Sequence, residues 1–207
     1  VEMTHEHYCT TALNLPVYVS PIAVIFNVEG VDSLKLDADT VAGIFAGAIT
    51  KWNDPKIVAT NPDAKLPDAN ITAVHRSDDS GTTNNFTDYL AQAAPTVWTQ
   101  PAADTFPAAF GGEAAKGTSA VVDAVTTGTN TIGYADASAA GKLGHAELKV
   151  GDAWLKPTAE AAAKIVDESA VLPGRGEHDL ALKLHRLSKD AYPAVLVSSP
   201  ITIGLYA

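Results

Sequence analysis

Arginine, cysteine and methionine are nearly missing from this chain. Three arginines, Arg76, Arg175 and Arg186, stand among 14 basic residues, against 24 acidic ones and a formal net charge of −10. That excess argues against a nucleic-acid partner, whose binding rests on neutralising phosphates with many lysines and arginines. It leaves room for a small anion, because the local field of a cleft, not net charge, sets such an affinity. Cys9 has no second cysteine to pair with, so no internal disulfide is expected. No apolar run is long enough to span a bilayer, so no transmembrane helix is expected. Val1-Glu2-Met3 is not the start of a basic region followed by an apolar run, and a mature secreted protein reads the same way. A P-loop, a Gly-x-Ser-x-Gly elbow and a fixed-period repeat are also missing. No cofactor and no metal are expected. His5, His7 and Cys9 alternate near the start, but no partner cluster supports them as a metal clip.

What the chain does have is enough apolar residue, 46%, to build one large domain or two small lobes. Its most informative stretch is His75-Arg76-Ser77-Asp78-Asp79-Ser80-Gly81-Thr82-Thr83. Ile71–Val74 before it reads as a short strand. Phe86, Tyr89, Leu90 and Ala93 after it recur at helical spacing. Ser80-Gly81-Thr82 therefore falls at a strand-to-helix junction. The first N–H groups of a helix have no internal partners and carry the positive end of its dipole, so an anion there meets several donors. Gly81 lets the backbone approach closely. Arg76 adds a planar, always-charged, two-pronged donor.

Elsewhere the pattern alternates between strands and helices, which argues for an α/β fold with a largely parallel sheet. Residues 13–28 read as a strand pair broken near Ser20-Pro21. Asp39–Ala48, Thr118–Val125, Pro157–Val166 and Leu180–Leu187 read as helices, and Asp54-Pro55 as a helix start. Thr131–Tyr134 and Val195–Ser198 read as strands, and Leu172–Gly176 as a loop. Trp52 with Asn53 and Asp54 reads as a packed corner.

Arg76-x-Asp78-x-Ser80-Gly81-Thr82 resembles the anion-binding motif of the phosphate-binding proteins (PstS family) that feed ABC phosphate importers. Other stretches resemble the same family in order and at its spacing: Leu15-Pro16-Val17 with Ile22–Asn27, Ile44–Pro55 with its Lys51-Trp52-Asn53-Asp54-Pro55, Phe110-Gly111-Gly112, Ile132-Gly133-Tyr134 and Tyr192–Val197. The resemblance covers residues 13 to 198. It implies a type II periplasmic-binding-protein fold of two lobes with mostly parallel sheets. The family is longer than this chain, and residues 1–12 do not match its segment carrying an acidic acceptor for phosphate. The expected division is a partial first lobe and crossover strand over 1–28, a nearly complete second lobe over 29–190, and a return strand over 191–207.

The same resemblance implies an extracytoplasmic solute-binding protein, periplasmic or at the cell surface, and not an enzyme. It would capture inorganic phosphate and deliver it to an ABC importer membrane permease. Arg76, Ser80, Gly81 and Thr82 would bind phosphate, with Asp78 orienting Arg76. Taken alone, Arg76 reads as a surface ion pair with Asp78 or Asp79, and Ser80 and Thr82 as helix caps. Gly111-Gly112 and Gly117-Thr118-Ser119 read as structural turns or as a second anion-facing turn, and His75 as packing. A different class also fits one motif: Asp79-Ser80-Gly81-Thr82 matches the signature of aspartic proteases, which would need a dimer to supply two aspartates.

Overall fold

The computed structural model describes residues 12–174, 179–198 and 201–203. The central sheet has the order β3-β7-β2-β6-β4-β5. These strands are β2 (Tyr18–Asn27), β3 (Ser33–Leu36), β4 (Thr72–Arg76), β5 (Glu113–Ala115), β6 (Thr131–Asp136) and β7 (Gly144–Val150). β3 runs parallel to β7, and β6, β4 and β5 run parallel to one another, while β2 in the middle is antiparallel to both neighbours. β8 (Ala153–Leu155) pairs with β7, and β11 (Val195–Ser198) pairs antiparallel with the start of β2. β1 (Ala12–Asn14) pairs with β12 (Ile201–Ile203) away from this sheet.

β2 shows why its sequence is almost continuously apolar. Ile22, Val24 and Phe26 enter one core, and Ala23 and Ile25 enter the other. A strand buried on both faces has no polar side to show. The larger core holds α1 (Ala38–Phe45) and α3 (Gly81–Ala93). The smaller holds α4 (Gly117–Thr127), through Val121 and Val125. The short α2 (Pro55–Thr60) starts at the Asp54 cap with Pro55 in its first turn, and α5 (Ala159–Asp167) starts at Thr158. Trp52 is fully buried, donates its ring N–H to the Asn130 carbonyl at 3.1 Å and leans on Phe26, so the corner reading holds.

Two expectations are corrected. Residues 18–27 form one strand rather than a pair broken at Ser20-Pro21. Pro21 is the last residue of β2 paired with β11, and pairing with β6 begins at Ile22. A residue without an N–H is tolerated at such a change of partner. Leu180–Leu187 is not a helix. It holds the two-residue strand β10 (Leu182–Lys183), paired with β9 (Ala170–Val171). Leu180, Leu182 and Leu184 alternate at period two, which is a strand signal. The turn at Leu172–Gly174 follows β9, while Arg175 and Gly176 lie outside the described residues, as do His5, His7 and Cys9.

Candidate functional site

The strand read as Ile71–Val74 extends to Arg76, so Arg76 is the last residue of β4. Because β4, β5 and β6 are parallel, Arg76, Ala115 and Asp136 all end at one edge of the sheet. The carboxyl edge of an open α/β sheet is where ligands bind. The chain leaves β4 there and enters α3, and leaves β5 and enters α4. Both helix N-termini therefore face the edge at which Arg76 emerges.

Asp78 holds the Arg76 guanidinium in a fork. Nε donates to Oδ1 at 2.8 Å and Nη2 to Oδ2 at 2.5 Å. Nη1 donates to Thr118 Oγ1 at 3.3 Å, at the start of α4. Asp78 Oδ1 also accepts from the Gly117 N–H at 2.9 Å. Gly117 sits at φ +80°, a conformation easy only for glycine, at this turn between β5 and α4. An arginine has five N–H donors. With these three bonds made, one hydrogen on Nη1 and one on Nη2 stay free for an external acceptor. The guanidinium, then the Gly117 N–H, holds the Asp78 carboxyl well below the usual carboxylate range.

That depression has a definite sign. A carboxyl with a lowered folded value contributes stability that is complete above its unfolded value of about 4 and is lost as pH falls through the folded value. Asp78→Asn should therefore lower the melting temperature at neutral pH yet flatten its decline below about pH 4. Thermal melts at stepped pH values check this, and an unchanged acid limb would contradict it.

Ser80 caps α3. Its Oγ accepts from Thr82 N–H at 3.2 Å and Thr83 N–H at 3.4 Å, and its own N–H donates to the Asp104 carbonyl at 3.0 Å. Capping uses the oxygen lone pairs and leaves the hydroxyl hydrogen able to donate, so capping and anion binding are not alternatives here. Gly81 N–H and Thr82 Oγ1 have no hydrogen-bond partner among the described residues. Thr82 is nearly buried and Gly81 exposed.

A second layer supports this turn, and sequence reasoning missed it. Tyr134 Oη accepts from the Arg76 N–H at 3.3 Å and shares a hydrogen bond of 2.8 Å with Thr83 Oγ1. The ring stacks on Phe86 at 4.3 Å. One phenol thus ties the end of β4 to the first turn of α3. Burial, more than any charge, pushes its hydroxyl up, so it stays neutral. His75 packs against Phe106 with centroids 4.2 Å apart, in line with a packing role. Gly117 and Thr118, read as a turn with a secondary claim to an anion, are joined directly to the Arg76–Asp78 fork.

Within one copy of the chain the protease motif brings no pair of carboxyls together to share a proton. A catalytic dyad shares one proton between two carboxyls. Asp79 is exposed, and its neighbour Asp78 is locked in the ionised form by Arg76. A cavity of about 300 Å³ elsewhere is lined by Asp37, Asp39, Tyr89, Lys149 and Arg186 among others. Its two carboxylates offset its two cations, and Arg186 is already held by Asp88 and Asn85, so it suits an anion less well. No cluster of metal-binding side chains occurs among the described residues. No helix among them is long and apolar enough to cross a membrane.

The fold agrees with that of known proteins. A family model described as a PBP superfamily domain matches residues 4–203. The chain belongs to the PBP superfamily. Phosphate-binding protein PstS 3 of Mycobacterium leprae is 38% identical over 207 residues, covering 97% of this chain and 54% of the relative. Phosphate-binding protein PstS 2 of Mycobacterium tuberculosis is 35% identical over 205 residues, with the same two coverages of 97% and 54%. A solved phosphate-binding protein from Stenotrophomonas maltophilia superposes with a TM-score of 0.66 at 22% identity, over 96% of this chain and 57% of that one. PfluDING, a high-affinity periplasmic phosphate-binding protein solved with phosphate, gives 0.67 at 20% identity, over 95% and 59%. The PBP-superfamily chain thus spans about half the length of the curated relatives it matches. Its mostly parallel sheet with one antiparallel central strand is that of a PBP-like α/β domain.

Proposed function

We propose that this chain forms one face of a phosphate site in an extracytoplasmic solute-binding protein that hands phosphate to an ABC importer membrane permease. The observation that carries the reading is the Arg76–Asp78 fork set between two helix N-termini. It leaves two guanidinium hydrogens free beside unpartnered donors on the first turn of α3. Arg76, Ser80, Gly81 and Thr82 donate to the phosphate oxygens. Asp78 does not touch the anion, because like charges repel and both its oxygens are engaged. No bond is made or broken. Residues 29–190 act as the second lobe, with the segments around β2 and β11 as crossings toward a first lobe.

Each of these groups is a donor. Discrimination between phosphate and sulfate needs an acceptor that only a protonated ligand can satisfy, and an unmatched polar group costs roughly 1–3 kcal/mol. Without such an acceptor among Arg76, Ser80, Gly81 and Thr82, this chain by itself should bind the two anions within about tenfold of each other. Calorimetric titration with phosphate and then sulfate checks this. Saturable phosphate binding is the expected result, and its absence in folded protein would contradict the reading.

Gly81 separates ligand from fold. A methyl group there would meet only Leu196 Cδ1 at 3.6 Å, an ordinary contact. Gly81→Ala keeps the N–H but sets a methyl group beside it. It should leave the melting temperature nearly unchanged while hindering the anion's close approach and weakening phosphate binding by about tenfold. The same titration on the variant, beside its melt, makes the comparison.

A further inference from the structure

The phosphate reading leaves Arg186 unused, yet it is one of three arginines and its side chain is 1% exposed. Every bond it makes spans two parts of the molecule. Nε donates to Asp88 Oδ2 at 2.8 Å and Nη2 to Asn85 Oδ1 at 2.6 Å, both on α3. Nη1 donates to the carbonyls of Pro193 at 3.0 Å and Val195 at 2.9 Å, on the return strand. A planar fork can serve both partners at once, whereas a lysine could not.

The connection reaches the site itself. Asn85, whose oxygen receives Arg186, donates its Nδ2–H to the Gly81 carbonyl at 2.9 Å. A continuous hydrogen-bonded path therefore runs from Gly81 through Asn85 and Arg186 to Pro193 and Val195. A second contact closes it, since Leu196 of β11 lies over Gly81. β11 in turn pairs with Tyr18–Pro21 of β2, so whatever stiffens β11 also reaches the strand at the centre of the sheet.

Resting on the oxyanion reading above, we propose that Arg186 is a positioning residue that couples the anion-binding end of α3 to the return strand. The first turn of a helix frays, and a ligand that needs it ordered suppresses the opening. Gly81 donates toward the anion on one side and is held through its carbonyl by Asn85 on the other. Ordering of Gly81 is thus transmitted through Asn85 and Arg186 to the carbonyls of Pro193, just before β11, and Val195, its first residue. By linkage, loosening the relay also weakens anion binding by the same factor by which it uncouples the strand.

Amide hydrogen exchange on the whole chain, with excess inorganic phosphate and with chloride at matched ionic strength, tests this. In the wild type, phosphate should slow exchange at Thr82 and Thr83, and also at Leu196–Ser198 by about fivefold, the lower end of typical couplings. Asn85→Ala cuts the relay while leaving the Arg186–Asp88 pair in place. It should keep the phosphate effect on α3 and lose most of it on β11, where Leu196 still lies over Gly81. Arg186→Lys, if it folds, should do the same, and Asn85→Ala decides the matter if it does not. Protection of α3 without β11 in the wild type, or an unchanged β11 response in Asn85→Ala, would overturn the coupling alone. No phosphate effect at either place would overturn the oxyanion reading and the coupling with it.

Discussion

Arg76→Ala should weaken phosphate binding by two to four decades while leaving the chain folded. Two guanidinium hydrogens are free to meet the anion, and hydrogen bonds to charged groups are worth roughly 1.5–3 kcal/mol each, so about 3–6 kcal/mol of binding is at stake. The substitution also releases Asp78, whose Oδ1 keeps the Gly117 N–H and whose Oδ2 turns to water. A freed carboxylate beside the bound anion adds repulsion, which places the loss toward the upper part of that range. Arg76→Lys is a sharper control. It keeps the charge but cannot serve both Asp78 oxygens, Thr118 and the ligand, so most of the loss should persist. Calorimetric titration of wild type and both variants reads the effect. A lysine variant that binds as wild type would show that charge alone, not the fork, does the work.

Phe86→Ala should be the most destabilising single truncation near the site. Phe86 is fully buried, stacks on Tyr134 at 4.3 Å and meets Phe45 edge-on at 5.0 Å. Removing a buried phenyl ring costs about 3–5 kcal/mol, through lost transfer energy and the cavity left behind. A domain holds only about 5–15 kcal/mol in total, and for a chain of this size the melting temperature should fall by roughly 6–20 °C. The loss should not stay in the core. Tyr134 rests on this ring while it holds the Arg76 N–H and Thr83, so phosphate affinity should fall as well, even well below the melting range. Thermal melts and titration of the variant test both parts. A large drop in melting temperature with unaltered affinity would separate Tyr134 from the site.

The parts of the fold legible in the sequence were those set by local chemistry. Asp54-Pro55 announced a helix start, and the β4-to-α3 junction followed from a polar Ser-Gly-Thr turn between two apolar patterns. The long β2 was misread because Pro21 usually ends a strand. Only the sheet order, with partners changing at that residue, shows why it does not. Leu180–Leu187 was misread because leucine favours helices, although its alternation pointed to a strand. The site divided the same way. Arg76, Ser80, Gly81 and Thr82 are neighbours in the chain and could be seen together. Gly117 and Thr118 lie some forty residues on from Arg76, and Tyr134 58 residues on, and the parallel pairing of β4 with β5 and β6 brings them in. The relay from Gly81 to the return strand joins positions 85 and 186, a link that no sequence spacing carries.

The most direct test of the account is where phosphate lands. Backbone and arginine side-chain resonances should be followed by NMR as phosphate is added, with chloride at equal ionic strength as the reference. The account predicts saturable shifts centred on Gly81, Thr82, Gly117 and Thr118 and on the Arg76 Nε–H. Shifts centred instead on Tyr89, Lys149 and the cavity between α1 and α3, or no saturable shift in folded protein, would contradict it.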